Sequence, residues 1–187
     1  MSKNLKISSN WIFDSSDHHM EFYLPPKLSN PISIAAFDLD WTLIKPKSGR
    51  TFPKNKDDWE LLYPNHTLEK LTEISKSHQV AIFTNQAGVQ IGKTSVSDLK
   101  HKFSAIQEHL GFPIIFMASI TKESPFRKPA TGLWNRMLEI LEKPEISQDS
   151  FYCGDAAGRK GDHSNDDLLF AVNSKLKFYT PEMWFKS

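Results

Sequence analysis

Short apolar segments that end in polar residues alternate with helix-forming segments along most of this chain. The apolar segments are residues 33–40, 79–86, 112–119 and 150–155. The segments with the apolar spacing of helices are residues 66–78, 95–111, 131–143 and 165–175. Strands that alternate with helices in this way pair in parallel. The pattern therefore predicts an α/β fold built on a doubly wound parallel sheet.

The length of the chain limits the number of domains. A chain of 187 residues, of which 39% are hydrophobic, suffices for one α/β domain and is short for two. We expect a single domain over residues 1–187, in which residues 1–31 form edge strands or an N-terminal arm. Residues 43–65 are rich in Lys, Pro and Gly and should form a small flap after the first strand. Asn65 is the expected N-cap of the helix that follows.

Composition excludes several classes of protein. The formal net charge of +1 gives no global attraction to nucleic acid, so such contact would need a local basic patch. Cys153 is the single cysteine, which excludes a disulfide framework and a multi-cysteine zinc site. No signal segment and no apolar run of membrane-spanning length is present in the sequence. We expect a soluble intracellular protein without membrane contact.

Two carboxylates, Asp38 and Asp40, follow the first apolar segment, and the hydroxyl of Thr42 comes two residues later. In open α/β sheets the chemistry lies at the carboxyl ends of the strands. Two converging carboxylates suit a cation-assisted reaction with one nucleophile and one proton carrier. An isolated pair of this kind is equally compatible with an Asp-rich turn, so the rest of the chain has to decide.

Polar residues also end two other predicted strands. Thr84 and Asn85 follow the second apolar segment, and Asp155 follows the fourth. Because parallel strands end at the same sheet edge, these side chains should lie near Asp38. Three polar endings at one edge favour a catalytic site over a turn.

The residue types predict a role for each group. Asp38 is the candidate nucleophile that forms an acyl phosphate. Asp40 can protonate a leaving oxygen and then activate water. Thr84 and Asn85 can donate to phosphate oxygens, and Lys128 can place a positive charge beside the phosphoryl group.

The same carboxylates predict a cation site. Asp155, Asp38 and a backbone carbonyl offer the hard oxygen ligands that Mg²⁺ prefers. Asp40 is a further candidate ligand. We therefore expect Mg²⁺ as the cofactor.

Four ordered segments resemble the motifs of the haloacid dehalogenase superfamily of phosphatases, namely FDLDWTLI, IFTNQAGVQIGK, RKPATGLW and FYCGDAAGRKGDHSNDDLLFAVN. The flanking segments KPKSGRTFP, DDWELLYPN and FYTPEMWF resemble the DNA 3′-phosphatase domain of the polynucleotide kinase 3′-phosphatase family. The resemblance covers nearly the whole chain. It implies a Rossmannoid fold without a cap and a DNA 3′-phosphatase that acts through a phosphoaspartate in DNA repair.

The resemblance also implies roles for individual residues. It implies that Asp38 is phosphorylated, that Asp40 is the acid and base, and that Asp155 binds Mg²⁺. It also adds Asp167 as support for the metal and the lysine. Phe52 in the flap and Arg127 beside the lysine match family residues that contact DNA. Trp41 is a departure, since many relatives have Gly there.

The spacing of the motifs leaves no room for a cap domain, which favours an open site and a macromolecular substrate. Basic residues surround this site in the sequence, namely Lys45, Lys47, Arg50, Lys54, Lys56, Lys93, Lys100, Lys102 and Arg127. Trp41 and Phe52 could stack on splayed bases, whereas Trp59 is expected in the core. We expect Lys93 to face the substrate, while several of the other lysines are equally compatible with a solvated loop.

Other functions share parts of this pattern. A small-molecule phosphatase of the histidinol-phosphate type is one alternative, and such enzymes also lack a large cap. They hold zinc in a Cys/His loop, however, and a chain with a single cysteine cannot supply that loop. A polymerase-tail type of protein phosphatase and a non-catalytic DNA-end binder are further alternatives. The segment from Gly88 to Thr94 is one residue too short for a phosphate-binding loop, so we expect a phosphatase domain alone.

The expected partner is a DNA strand-break end with a 3′-phosphate, bound by a monomer. Nuclear location is expected from this task alone, since the sequence contains no strong basic targeting cluster.

Overall fold

The computed structural model describes residues 11–24 and 31–186. Its strands are β1 (Ile12–Ser15), β2 (His19–Tyr23), β3 (Ile34–Phe37), β4 (Ile44–Lys45), β5 (Glu60–Leu61), β6 (Gln79–Asn85), β7 (Ile115–Ser119), β8 (Phe151–Cys153) and β9 (Lys177–Tyr179). Its helices are α1 (Pro64–Ile74), α2 (Val96–Leu110), α3 (Gly132–Ile140), α4 (Asp166–Asn173) and α5 (Pro181–Phe185).

Seven strands form one sheet in the order β1-β2-β7-β6-β3-β8-β9. The five strands from β7 to β9 run parallel to one another, whereas β1 and β2 form an antiparallel hairpin on the β7 side. The doubly wound α/β fold is therefore confirmed. Within residues 1–31, the hairpin supplies edge strands, and residues 1–10 and 25–30 lie outside the described part of the chain.

The central strand β3 is apolar at every position because both faces of the sheet are covered. Its four side chains are all buried, with alternate residues on opposite faces. Ala35 and Phe37 belong to a core cluster that includes side chains of α1, α2 and α5. Ile34 and Ala36 belong to a second cluster that includes side chains of α3 and α4. The helices thus cover both faces and leave the carboxyl edge of the sheet for the site.

Local residue choices explain where two of the helices begin and end. Ser95 caps α2 in a capping box with Asp98, and Gly111 closes the same helix in the left-handed conformation at φ 79°. The helix α1 begins at Pro64, which follows the cap residue Tyr63. The predicted cap at Asn65 is wrong, because proline is well suited to the first helical position and starts the helix earlier.

The strands β4 and β5 pair in an antiparallel two-stranded sheet and form the base of the predicted flap. The flap is held by the carboxylate of Asp58, which accepts from Ser48 N at 2.9 Å, Ser48 Oγ at 2.7 Å and Lys54 N at 2.8 Å. These hydrogen bonds, led by that from the Ser48 hydroxyl, lower the pKa of Asp58. The flap is thus a folded element with its own polar anchor.

Across residues 11–24 and 31–186, no helix combines the length and the apolar character that crossing a bilayer requires.

Candidate active site

The chain turns sharply directly after β3, and this turn separates the two predicted catalytic carboxylates. The amide of Asp38 still continues the sheet by donating to Cys153 O at 2.9 Å. Trp41 adopts φ 63°, a left-handed conformation that costs a residue with a side chain about 1–2 kcal/mol. Its amide then donates to Ile44 O at 2.7 Å. Asp38 consequently lies buried at the strand end, whereas Asp40 lies in the turn with its side chain 35% exposed.

Lys128 lies at the centre of a buried polar network. Its ammonium donates to Asp38 Oδ1 at 2.6 Å, to Asp167 Oδ1 at 2.7 Å and to Tyr152 OH at 2.8 Å. These three contacts use all three donors of the ammonium. The lysine is 3% exposed, so its charge is balanced by these two carboxylates instead of by water.

The network determines the protonation of its members. Burial opposes the charge of Lys128, but the carboxylates of Asp167 and Asp38 raise its pKa above the ordinary range of a lysine. Burial raises the pKa of Asp38, and the adjacent ammonium opposes that effect. Burial likewise raises the pKa of Tyr152, whose protonated hydroxyl donates to Asp167 Oδ1 at 3.0 Å. The ammonium therefore stays charged at neutral pH and stabilises the ionised form of Asp38.

Asp38, Asp155 and Asp167 form an acidic cluster in which one carboxylate oxygen from each lies within 4.8 Å of the others. Asp155 is held by Thr42, whose hydroxyl donates to Oδ1 at 3.4 Å and accepts from the Asp155 amide at 3.1 Å. Burial, followed by the nearby charge of Asp167, raises the pKa of Asp155 to about 6. Such a set of hard oxygen donors can hold a divalent cation.

Asp40 was also predicted as a metal ligand, but its carboxylate is not part of this acidic cluster. Its Oδ2 accepts from Gln86 Nε2 at 2.6 Å, and its Oδ1 pairs with Lys102 Nζ at 3.3 Å. The side chain is therefore oriented by an amide and an ammonium and remains partly open to solvent.

Lys102 departs from its predicted place. The sequence predicted it among the basic residues that surround the site. In the structure Lys102 lies on the buried face of α2 and is 4% exposed, and its Nζ lies 3.3 Å from Asp40 Oδ1. The helix buries the face that carries Lys102 and Phe103, and the charge is balanced by Asp40. This lysine belongs to the interior of the site, not to a basic surface.

The two predicted phosphate donors differ in their surroundings. Thr84 is buried, and its hydroxyl oxygen accepts from Gln86 Nε2 at 2.8 Å, which leaves the hydroxyl proton available for donation. The amide of Asn85 contacts the main chain of Lys128, accepting from its N at 3.0 Å and donating to its O at 3.2 Å. Asn85 thus positions the segment that carries Lys128, and phosphate binding by both residues stays a prediction.

A cavity of about 560 Å³ opens over these carboxylates. It is lined by Asp38, Asp40, Trp41, Phe52, Lys93, Lys122 and Arg127, among others. The Phe52 ring is 74% exposed, and Lys93 Nζ lies 5.8 Å from its centroid. Among the described residues, Arg127 Nη1 is buried without a hydrogen-bond partner. The predicted DNA-contacting residues therefore share one cavity with the two aspartates predicted to be catalytic.

Some of the other basic residues pair within the flap. Lys45 lies 3.4 Å from Glu60 and Lys56 lies 2.9 Å from Asp57, which fits the alternative of a solvated loop for these two. Trp59 is partly buried and packs against the core, as expected.

Sequence reasoning missed the functional contacts of Tyr152 and Gln86. Tyr152 lies in an apolar strand, where an aromatic residue is ordinary core material, and its hydroxyl contacts Lys128 only through the fold. Gln86 follows Thr84 and Asn85 in a polar strand ending, which was the available signal.

The chain has clear relatives among known proteins. The family model described as polynucleotide kinase 3 phosphatase matches residues 33–185. An uncharacterised 20.8 kDa protein of Autographa californica nuclear polyhedrosis virus is 45% identical over 159 residues, which cover 82% of this chain and 85% of that protein. The bifunctional polynucleotide phosphatase/kinase of Schizosaccharomyces pombe is 38% identical over 180 residues, 96% of this chain but 43% of that protein.

A polynucleotide 3′-phosphatase of Saccharomyces cerevisiae is 30% identical in an alignment of 208 positions that covers 82% of this chain and 87% of the yeast protein. The chain thus spans less than half of the Schizosaccharomyces pombe protein and most of the Saccharomyces cerevisiae one.

Solved structures show the same fold. A HAD-like phosphatase of Mesorhizobium loti aligns with a TM-score of 0.67 at 17% identity, covering 87% of this chain and 78% of that chain. The D,D-heptose 1,7-bisphosphate phosphatase of B. bronchiseptica, solved with magnesium and phosphate, aligns with a TM-score of 0.62 at 16% identity, covering 80% and 79%. These alignments confirm the predicted Rossmannoid architecture.

Proposed function

The chain belongs to the polynucleotide kinase 3 phosphatase family, and we propose that it removes the 3′-phosphate from DNA strand-break ends through a phosphoaspartate. The single observation that carries this proposal is the different surroundings of two neighbouring carboxylates. Asp38 is buried against the ammonium of Lys128. The side chain of Asp40 is partly exposed to the cavity and accepts a hydrogen bond from Gln86. The ammonium favours the ionised form of the first carboxylate, which is the form that attacks, and the second carboxylate can exchange protons with a substrate and with water.

In the first step, a carboxylate oxygen of Asp38 attacks the phosphorus of the 3′-phosphate. The bond between phosphorus and the 3′-oxygen breaks, and Asp40 gives its proton to that leaving oxygen. The products of this step are a DNA 3′-hydroxyl and an acyl phosphate on Asp38. The ammonium of Lys128 holds Asp38 in place throughout. Tyr152 accepts from that ammonium and donates to Asp167, which keeps the lysine in position.

In the second step, Asp40 takes a proton from water while the water oxygen attacks the phosphorus. The bond between phosphorus and Asp38 breaks, inorganic phosphate leaves, and the carboxylate of Asp38 is restored. Thr84 can donate its hydroxyl proton to a phosphate oxygen during both steps. Lys102 and Gln86 keep the Asp40 carboxylate in one orientation as it changes its protonation state.

The acidic cluster supports Mg²⁺ as the cofactor. Its donors are carboxylate oxygens alone, without nitrogen or sulfur, which matches the preference of Mg²⁺. Asp38 and Asp155 would hold the ion, and Asp167 would support both it and Lys128. Bound there, the ion would neutralise phosphate charge during the transfer.

The surroundings of the cavity support a nucleic-acid end as the substrate. Within residues 31–186, the chain inserts only a small flap between β3 and α1, and no cap domain covers the site. Phe52, Lys93 and Arg127 line the cavity and can contact a DNA strand. The Saccharomyces cerevisiae relative is named as a polynucleotide 3′-phosphatase, which agrees with this substrate. Such a function belongs to DNA repair and implies work in the nucleus.

The alternatives fit the observations less well. A phosphatase of the histidinol-phosphate type would need a zinc-holding cysteine loop, and the chain contains one cysteine, Cys153, buried in β8. A non-catalytic end binder would not need the buried lysine and carboxylates of the network, which are costly to bury.

The test uses an oligonucleotide that ends in a 3′-phosphate. We expect it to lose the phosphate with Mg²⁺ and to keep it with a chelator. Asp38→Asn should abolish turnover, because an amide cannot form the acyl phosphate, whereas Asp14→Asn on the exposed strand β1 should behave as the unmodified protein. Turnover by Asp38→Asn would contradict the covalent mechanism, and equal turnover of histidinol phosphate would contradict the substrate.

A further inference from the structure

Trp41 has a backbone conformation that disfavours the side chain it carries. Its φ of 63° lies in the left-handed region, which glycine adopts without strain. The turn needs the main-chain bond from Trp41 N to Ile44 O, and a glycine would form that bond equally well. Strain of this kind at a site points to a role for the side chain itself.

The indole lies at the mouth of the cavity. It is 39% exposed and lines the cavity with Asp38, Asp40 and Phe52. Its Nε1 donates to Thr51 O at 3.3 Å, directly before Phe52 in the flap. Trp41 therefore fastens the flap to the catalytic turn, and two accessible aromatic rings come to line one opening.

The proposed chemistry places the leaving nucleotide beside this residue. Asp40 protonates the leaving 3′-oxygen, so the sugar that carries this oxygen must lie against Asp40. The base is attached to the same sugar. Trp41 directly follows Asp40 in the chain and presents its ring to the same cavity. An exposed aromatic face beside the terminal sugar is suited to stack on a base of any sequence.

We propose that Trp41 determines specificity by packing its indole against the base of the 3′-terminal nucleotide, an inference that rests on the DNA 3′-phosphatase function proposed above. The residue then distinguishes a nucleotide end from a phosphate ester that lacks a base. Phe52 does not adjoin Asp40 in the chain, and the residue directly before it, Thr51, accepts from Trp41 Nε1 at 3.3 Å.

The experiment compares two oligonucleotides that end in a 3′-phosphate and differ only in whether the terminal nucleotide carries a base or an abasic tetrahydrofuran. In the unmodified protein, loss of the base should lower kcat/KM by about 5- to 150-fold, the range for one base–aromatic stack. Trp41→Gly should lower kcat/KM for the intact end by a similar factor. It should then show no further loss with the abasic end. Trp41→Phe, which keeps a ring, should retain most of the dependence on the base.

Two additions keep the result interpretable. Trp41→Asn, which also tolerates the left-handed backbone, replaces the glycine variant if that variant does not fold. Val172→Ala, an exposed position on α4, serves as a control with unchanged kinetics.

The outcomes separate the two proposals. If Trp41→Gly or Trp41→Asn keeps the dependence on the base that the unmodified protein shows, the inference is wrong and the proposed function stands. If the unmodified protein is indifferent to the base, the inference is again wrong. If it hydrolyses p-nitrophenyl phosphate but no 3′-phosphorylated oligonucleotide, the proposed function fails, and the inference fails with it.

Discussion

Gly154 is the position where one added methyl group should damage the active site most directly. A Cβ at this residue would lie 2.4 Å from Asp167 Cγ and 2.5 Å from Asp167 Oδ2. Because non-bonded carbon atoms pack at about 3.5–4.0 Å, Asp167 would have to move by about 1 Å. Both of its oxygens are in use, Oδ1 by Lys128 at 2.7 Å and Oδ2 by the amide of Ala156 at 3.0 Å. The displacement therefore disturbs the lysine that supports Asp38.

The expected magnitudes of Gly154→Ala follow from this clash. Overpacking of a close-packed interior costs about 1–3 kcal/mol, which lowers the melting temperature of a chain of this size by about 2–12 °C. A misplacement of about 1 Å in a catalytic arrangement costs about 100-fold in rate. We therefore expect kcat to fall about 100-fold while the protein remains folded.

The assay measures the melting temperature by calorimetry and kcat on the 3′-phosphorylated oligonucleotide well below that temperature. Gly88→Ala is the matched control for stability, because its added methyl group would meet Thr94 Cγ2 at 3.4 Å, an ordinary contact. A Gly154→Ala protein with the kcat of the unmodified enzyme would refute the reasoning, since Asp167 could then move without effect on Lys128.

Two further predictions concern ionisation. The pKa of Asp155, raised by burial to about 6, means that this proposed Mg²⁺ ligand is protonated in the metal-free protein at lower pH. Mg²⁺ affinity should therefore fall by about tenfold per pH unit below pH 6, which calorimetric titrations across this range can measure; constant affinity would contradict it. Burial also raises the pKa of Cys153, so the folded protein should react with a disulfide reagent far more slowly than the denatured protein does. Equal rates of modification would contradict the buried placement of this thiol.

The strands of the sheet could be predicted because their signal is local. Each of β3, β6, β7 and β8 is an apolar run, and burial on both faces of a parallel sheet requires that pattern. The placement of Asp38 and Asp155 at one sheet edge followed from the same signal and a general rule of topology.

The remaining features could not be predicted because they depend on contacts between distant residues. Lys102 has the local sequence of an exposed helix position, and the contact with Asp40 that buries it spans 62 residues. Asn85 carries the signal of a phosphate donor, yet both ends of its amide contact the main chain of a residue 43 positions away. The wrong prediction of Asn65 as the cap of α1 has a local cause. Proline is favourable at the first helical position, and here it outweighs the capping preference of Asn65.

The buried ammonium of Lys128 also constrains the order in which the chain can fold. Its partners Asp167 and Asp38 are 39 and 90 residues away in sequence, so neither can neutralise it in an early local structure. Moving an unpaired ammonium out of water is strongly unfavourable. The segment that carries Lys128 can therefore pack into the interior only after β3 and α4 have both formed. Closure of the catalytic centre is thus tied to the formation of the slow, non-local contacts of the parallel sheet. A chain that has formed its helices and hairpins but not the contacts of Lys128 with Asp38 and Asp167 is folded in outline, and its proposed nucleophile is not yet held in position.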